Sequence, residues 1–341
     1  MTRNYLITGG AGFIGSNYAR RLIQRNEHVI IFDNLSRAGA QRNVDWLKSQ
    51  FGDDAFRLIV GDVRSVSQIA EAAKDADIIV HLAGQVAVTT SVTNPREDFE
   101  ANALGTFNTL EAARLSGRDP IFIYASTNKV YGGMEDVKVV EEATRWRYAE
   151  LEYGCPETQP IDFHSPYGCS KGAGDQYVRD YARIYGLRSV VFRQSCIYGP
   201  RQFGIEDQGW LAWMIIAAVT GRKITIYGDG KQVRDILHVE DLLNAYEAAI
   251  EKIDAAKGQI YNMGGGTRNV MAVWAEFGPI LERLLGKKIE VARADWRPGD
   301  QKVFYADTRK AKRELDWEAK MGLEDGIERL FNWVKENREL F

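Results

Sequence analysis

Short apolar runs alternate with longer amphipathic stretches through the first half of the chain. Tyr5 to Thr8, His28 to Asp33, Phe56 to Val60, Ile78 to Leu82 and Ile121 to Ser126 read as strands, and Phe13 to Arg25 and Phe99 to Leu115 as helices. Strands without an exposed polar face, separated by helices, imply βαβ units and a parallel sheet covered on both sides. A helix from near Tyr167 to about Tyr185 precedes another apolar run, Ser189 to Arg193, that continues the sheet. The pattern predicts an α/β protein with a doubly wound parallel sheet.

After Arg193 the signals change. Pro200, Gly204 and Gly209 mark an irregular segment, and Gly221, Gly228 and Gly230 surround the short strand-like "KITIYGDG". This predicts a smaller C-terminal lobe. The expected division is a sheet domain over 1–175, with 187–198 and about 236–263 returning to it, and a lobe drawn mainly from 176–341. Gly133 to Ser165 is acidic and aromatic and contains Pro156 and Pro160. It reads as a long excursion, and excursions of that length are usually functional.

Composition narrows the class. The 341 residues carry 44 Lys+Arg against 47 Asp+Glu, a net charge of −3, with 45% apolar residues, which is ordinary globular usage. Nothing in this balance would neutralise a phosphate backbone, so nucleic acid is not an expected partner. Cys155, Cys169 and Cys196 form no metal-like spacing and read as reduced, buried thiols; no metal is implied. The longest apolar stretch, Trp210 to Val219, is far short of the ~20 residues a membrane span needs, and only four residues precede the first apolar run at Tyr5. The expectation is a cytoplasmic chain with neither a span nor a signal peptide.

Chemistry enters with "LITGGAGFIGS". Gly9, Gly12 and Gly15 recur every third residue between a strand and a helix. Glycines there allow a tight turn, let backbone N–H groups approach a pyrophosphate and bring the positive helix end to the anion. Asp33, closing the second strand, can accept hydrogen bonds from an adenosine ribose and repel a 2′-phosphate, which favours NAD over NADP. Arg37, four residues on, is the contrary signal. Asp62 after the third strand can receive an adenine amino group.

"SPYGCSKGAGDQY" places Tyr167 and Lys171 four apart on one helix face. A phenol has a pKa of about 10, but a neighbouring ammonium and a nicotinium charge favour the phenolate, which can then take a proton from an alcohol. "YASTNKVYG" brings Thr127 to the C-terminal edge of the sheet, where its hydroxyl can orient the reacting oxygen.

Together "TGGAGFIG", "DNLSR", "GDVR", "HLAG", "STNKVYG", "YGCSK" and "FRQSCIYGPRQ" resemble the extended short-chain dehydrogenase/reductase family, nucleotide-sugar branch, over essentially the whole chain. The longer strings "DNLSRAGAQRNVDWL", "HLAGQVAVTTSVTNP", "DFHSPYGCSKGAGDQY" and "DQGW" are closest to its epimerases acting at C2 of CDP-hexoses. The resemblance implies a Rossmann-type sheet with a nucleotide-sugar-binding lobe, and NAD as a temporary hydride store. Thr127, Tyr167 and Lys171 would be catalytic. NAD would be held by Gly9, Gly12, Phe13, Ile14, Gly15, Asp33, Asn34, Ser36, Arg37, Asp62, Val63, Leu82, Ala83 and Gly84, together with Tyr167 and Lys171.

On the substrate side, Gln85, Asn128, His164 and Gln194 are candidates for holding sugar hydroxyls. Arg234 and Arg297 match positions where the family binds nucleotide and pyrophosphate, for which guanidinium forks suit. His164 is open to a second reading, a backbone cap. Lys302 stands where relatives often carry Arg, so one phosphate contact can differ. The related 4,6-dehydratases place Asp-Glu after the strand-end threonine, whereas Asn128 and Lys129 stand here. Two enzyme readings follow, a CDP-hexose 2-epimerase and a UDP-sugar 4-epimerase on the same scaffold; a cofactor-sensing regulator would typically have lost the Tyr or Lys. The family's dimers pack the tyrosine-bearing helix and the helix before it as a four-helix bundle, so a homodimer or higher homo-oligomer is expected.

Overall fold

Each apolar run of the first half becomes a strand in the computed structural model, which describes residues 2–297 and 300–341. In alternation come β1 (Asn4–Thr8), α1 (Phe13–Gln24), β2 (His28–Asp33), α2 (Ala40–Phe51), β3 (Arg57–Val60), α3 (Val66–Ala73) and β4 (Ile78–His81). The helix expected over 99 to 115 is preceded by α4 (Val88–Thr93) and is itself divided into α5 (Pro95–Phe99), a π-helical turn (Glu100–Leu104) and α6 (Gly105–Leu115). Asn94 starts α5, its side chain accepting the Glu97 N–H with Pro95 in the first turn. β5 (Ile121–Thr127) follows.

Next come the hairpin β6 (Val139–Glu141) and β7 (Trp146–Tyr148), then α7 (Pro166–Ile184), β8 (Arg188–Gln194) and β9 (Cys196–Tyr198). The remainder runs α8 (Trp210–Thr220), β10 (Ile224–Tyr227), β11 (Val233–His238), α9 (Val239–Glu251), α10 (Ile253–Ala256) and β12 (Ile260–Met263). It ends with β13 (Val270–Ala272), α11 (Phe277–Leu285), β14 (Val291–Ala294), β15 (Val303–Phe304), α12 (Arg309–Leu315) and α13 (Leu323–Glu336).

Seven strands form the main sheet in the order β12-β8-β5-β4-β1-β2-β3. β1 pairs in parallel with β2 through Leu6–Ile30 and with β4 through Leu6–Ile79. The strand order reverses at β1, and ligands of such sheets collect at the carboxyl ends of the strands flanking that switch point.

The chain divides into two units. The first comprises 1–130, 165–193 and 243–261, with a core that includes Leu6, Phe32, Ile79, Leu110, Phe122 and Val191. The second comprises 131–164, 194–242 and 262–341, centred on α8, α11 and α13 through Ile215, Phe277 and Leu330.

This differs from the expected division in three places. The excursion joins the second unit, where its hairpin is fastened by Trp146 Nε1 to Asp229 (2.7 Å) and by the Arg145–Glu276 ion pair (2.6 Å). All of α7 belongs to the first unit, because its apolar face covers the sheet. Of the segments expected to return, 187–193 and 243–261 do, whereas 194–198 and 236–242 belong to the second unit, where Ile236 to His238 pair with Cys196 to Tyr198. Among the cysteines only Cys155 is buried, and Cys169 on α7 is exposed, contrary to the expectation for all three. Among the described residues, no helix is long and apolar enough to cross a membrane.

Candidate active site

The turn after β1 is built by glycines with different tasks. Gly9 sits at φ +69°, and a Cβ there would lie 2.7 Å from the Ala83 nitrogen. A Cβ on Gly15 would come within 2.5 Å of the Gly9 carbonyl. Both positions are closed by the protein itself. Gly12 is different: its Cβ would touch only the Gly9 oxygen, at 3.1 Å, and otherwise meet open space. Gly12 is also the N-cap of α1, with no side chain capping the helix. The N–H groups of Phe13, Ile14 and Gly15 thus begin a helix whose positive end has no side-chain acceptor, beside a space that only glycine leaves free. That is the cradle a dinucleotide pyrophosphate requires.

Asp33 ends β2 with one carboxylate oxygen on the Ala11 N–H (3.0 Å) and the other on the Leu35 N–H (2.8 Å). Burial raises its pKa, while these hydrogen bonds and the charge of Arg37 work the other way. Each oxygen keeps a second lone pair for a ribose hydroxyl. Asn34 accepts from the Ser36 N–H and hydroxyl and donates to Asp62 (3.1 Å). Asp62 is clasped by Arg64, at 2.9 Å from Nε and 2.7 Å from Nη2, which holds its pKa near 2. Much of its hydrogen-bonding capacity is thus spent locally. Val63 is buried behind it. After β4, Leu82 N–H reaches Thr8 O (3.0 Å), and Ala83 N–H reaches Thr8 Oγ1 (3.3 Å). Gly84 leaves room for the Asn102 side chain, which a Cβ would strike.

The candidate reacting groups arrive from β5 and α7. Ser165 caps α7 by accepting the Gly168 N–H (3.0 Å), and Pro166 occupies the first turn, which places Tyr167 at the helix start and Lys171 one turn later. Thr127 is the last residue of β5. Tyr167 is 8% exposed, and burial pushes its pKa up to about 12; the Thr127 hydroxyl and the Arg37 charge favour the phenolate, and the Asp98 charge opposes it. Lys171 is 6% exposed and pushed down to about 7 by burial, with the Asp175 and Asp98 charges opposing that fall. Its ammonium lies 4.3 Å from the centre of the Tyr124 ring. The structure brings Thr127, Tyr167, Arg37 and the glycine turn to the carboxyl end of one sheet.

The other sequence-derived residues have local partners. Gln85 spends its amide on Ala87 and on Asp98. Asn128, 8% exposed, accepts from Thr127 Oγ1 at 3.4 Å. In the second unit, exposed His164 accepts the Gly133 N–H on Nδ1 (3.1 Å) and contacts Asp162 through Nε2 (2.8 Å), which is the backbone-capping arrangement. Gln194 is buried at the end of β8. Arg234 is buried and paired with Asp300 (2.5 Å). Arg297 stacks on Tyr227 at 3.9 Å and pairs with Asp207 (3.1 Å). Lys302 lies over the Trp146 ring at 4.2 Å. Pro298 and Gly299 of the "RPGD" motif lie outside the described residues.

A model of the family described as GDP-mannose 4,6 dehydratase matches residues 6–330. The chain belongs to this family. Within the GDP-mannose 4,6-dehydratase family it is 43% identical over 336 residues to a CDP-paratose 2-epimerase of Salmonella typhi, covering 96% of this chain and 98% of that one. It is 33% identical to a putative UDP-glucose 4-epimerase of Methanocaldococcus jannaschii, covering 97% and 98% of the two chains. The crystal structure of a dTDP-glucose 4,6-dehydratase from Streptomyces venezuelae, solved with NAD bound, superposes with a TM-score of 0.84 at 28% identity, covering 99% of this chain and 98% of that one.

Several residues that shape this family member's site escaped the sequence reading. Asp175 accepts Arg193 through both oxygens (2.9 Å each) and the Ser126 hydroxyl (2.8 Å), tying α7 to β8 and β5. Its signal was present: Asp175 lies four residues after Lys171, and Arg193 is the one charge in the apolar run Ser189 to Arg193. His81 is fully buried between Thr8 (2.7 Å) and Thr106 (3.0 Å), and burial pushes its pKa down to about 3, so it stays neutral. Asp98 and Asn102 left no comparable trace.

Proposed function

We propose that the protein is an NAD-dependent nucleotide-sugar epimerase acting at C2 of a CDP-hexose, converting CDP-paratose to CDP-tyvelose or performing the same inversion on a related CDP-sugar. One observation carries this: Thr127 and Tyr167 meet at the end of β5 with Lys171 one helical turn behind, and neutral Asn128, not a carboxylate, follows the threonine. The site can move a hydroxyl proton but lacks the adjacent acid that expulsion of a 6-hydroxyl would use. The likeness to the Salmonella typhi enzyme along nearly the whole of both chains supports the choice of base and carbon. The likeness to a putative UDP-glucose 4-epimerase keeps 4-epimerisation of a UDP-sugar as the second reading.

NAD, when bound, supplies a hydride acceptor that stores the hydride and gives it back. The glycine turn and the start of α1 would hold its pyrophosphate, Asp33 its adenosine ribose and Lys171 its nicotinamide ribose. Tyr167 as phenolate takes the C2 hydroxyl proton, and Thr127 orients that oxygen as it becomes a ketone. The transient 2-keto sugar would then present its other face to the site, and Tyr167 would return the proton to its oxygen. Arg234 and Arg297 would serve the diphosphate, exchanging part of their present pairing with Asp300 and Asp207 for it.

Incubation of the purified protein with CDP-, UDP- and GDP-sugars, followed by NMR assignment of the inverted centre, tests the reading. Inversion at C4 of a UDP-sugar with none at C2 of any CDP-sugar would replace it with the alternative.

The chain also fits a cytoplasmic homodimer built on α6 and α7. These helices expose Phe107, Leu115, Tyr177 and Ile184, and Tyr185 just after α7 is exposed too, with Phe107 and Tyr177 in edge contact at 5.8 Å. Exposed aromatic and aliphatic side chains along two neighbouring helices suit a self-complementary face. Sedimentation as a monomer at micromolar concentration would remove the dimer.

A further inference from the structure

Lys171 carries a charge that burial opposes, so the source of compensation is a structural question. Two fully buried carboxylates act on it, Asp175 from its own helix and Asp98 from α5, which packs against α7. Asp175 is already committed: Arg193 grips both of its oxygens and the pair is nearly solvent-free. Asp98 has no such partner. Its Oδ1 accepts two neutral amide donors, Asn102 Nδ2 (2.9 Å) and Gln85 Nε2 (3.1 Å). Its Oδ2 is buried without a hydrogen bond of good geometry, although the Ser170 hydroxyl lies near enough to favour the charged form. Among the described residues no cation pairs with it.

A buried carboxylate without a cation is costly, and so is a buried ammonium without an anion. The other groups facing the pair do not supply the balance. His81 is neutral, Tyr124 is a buried phenol, Tyr167 is neutral until it ionises, and Arg37 acts on Tyr167 and Asp33. The clamp on Asp98 is also one of fixed geometry. Gln85 is locked onto the Ala87 backbone by both ends of its amide, and Asn102, set in the π-helical turn, bridges Asp98 to the Gln85 carbonyl (3.0 Å).

We propose that Asp98 is a positioning residue, the fixed counter-charge that keeps buried Lys171 an ammonium, and that Gln85 and Asn102 serve to hold its carboxylate rather than to bind sugar. The proposal rests on the assignment of Lys171 to the nicotinamide ribose made above. It explains why Gln85 directs its amide away from solvent and why a π-helical turn interrupts the helix where Asn102 is needed.

The test is NADH binding, followed by fluorescence from neutral to alkaline pH. Affinity in the native protein should fall as Lys171 loses its proton. In Asp98→Asn the same fall should come about one pH unit lower, and Asp98→Glu should restore it. An Asp98→Asn protein whose binding curve keeps the native pH dependence would overturn the proposal. Should Asp98→Asn fail to fold, Lys171→Met gives the reciprocal measurement: with the ammonium gone, the Asp98 carboxyl should titrate at higher pH by ¹³C NMR. An unmoved carboxyl would overturn the proposal equally. Neither arm involves a sugar, so a failed epimerase assay leaves both intact, and a protein that does not bind NADH fails the cofactor reading while the carboxyl titration still decides this one.

Discussion

The charge of Arg37, in the loop after β2, favours the Tyr167 phenolate, whereas the Lys171 ammonium lies 4.3 Å from the centre of the Tyr124 ring and is favoured by the charges of Asp175 and Asp98. The sequence reading gave the task of favouring the phenolate to Lys171. Arg37 holds the Tyr167 pKa down, so its removal lets that pKa rise. In Arg37→Ala the acid limb of the kcat/KM profile should move to higher pH. Because Arg37 is exposed, the shift should be no more than about one unit and should shrink as salt is added. An acid limb that stays in place at low salt would show that another group sets it.

The glycine turn separates folding from binding. A methyl on Gly15 would press on the Gly9 carbonyl at 2.5 Å and on the Gly10 Cα at 2.6 Å, contacts that backbone cannot relieve cheaply. Gly15→Ala should therefore lower Tm by many degrees or abolish folding. Gly12→Ala meets a single atom at 3.1 Å and should keep nearly the native Tm while losing most dinucleotide affinity. If the Gly12 variant binds NAD normally, the pyrophosphate does not lie against that residue.

Asp33 carries charge and structure together, because its oxygens also hold the Ala11 and Leu35 amides. Asp33→Asn removes the charge and keeps an acceptor for only one of the two amides, so its NAD-over-NADP preference should fall about tenfold or more at a cost of roughly 1 kcal/mol of stability. Asp33→Ala should lose the same preference and also roughly 1 kcal/mol of stability for each untied amide. The native protein should release NAD on denaturation, and chromatography that finds mainly NADP would contradict the role of this carboxylate.

Legibility in the sequence followed the range of the interactions. The strands of the main sheet were readable because uninterrupted apolar runs such as Ile78 to His81 have few other uses, and Tyr167 and Lys171 because helical spacing puts them on one face. The helix over 99 to 115 was legible, but not its π-helical turn, which the periodicity survives, nor its start, which Asn94 and Pro95 mark and the apolar pattern alone does not. The return of the segment 236–263 to the sheet domain was only partly legible, because burial is the same in either unit, and only the pairing of Ile236 to His238 with Cys196 to Tyr198 sets its first residues apart. Gln85 and His164 looked like ligand groups because local sequence shows a polar side chain but not what it touches. Asp98 was invisible for the converse reason, since its meaning lies in the absence of a cation that only packing reveals.

The proposed chemistry turns on Tyr167. Burial pushes its pKa up to about 12, so the free phenol is a poor base at neutral pH, and the Thr127 hydroxyl, the Arg37 charge and a bound nicotinium all act toward ionisation. Tyr167→Phe removes the proton carrier and leaves the packing of the ring intact. It should cost about 10² to 10⁴ in kcat with little change in sugar affinity, since positioned acid-base groups are typically worth that much. Isotope placement then separates hydride storage from deprotonation at carbon. Under hydride storage the C2 hydrogen never meets solvent, so a substrate deuterated at C2 should give an epimer still deuterated at C2, and a reaction in D₂O should add no label there. Washing out of the C2 label would mean that a base removes a proton from carbon, a step for which Tyr167 and Thr127 at a hydroxyl are wrongly placed, and the epimerase mechanism proposed for this site would fall.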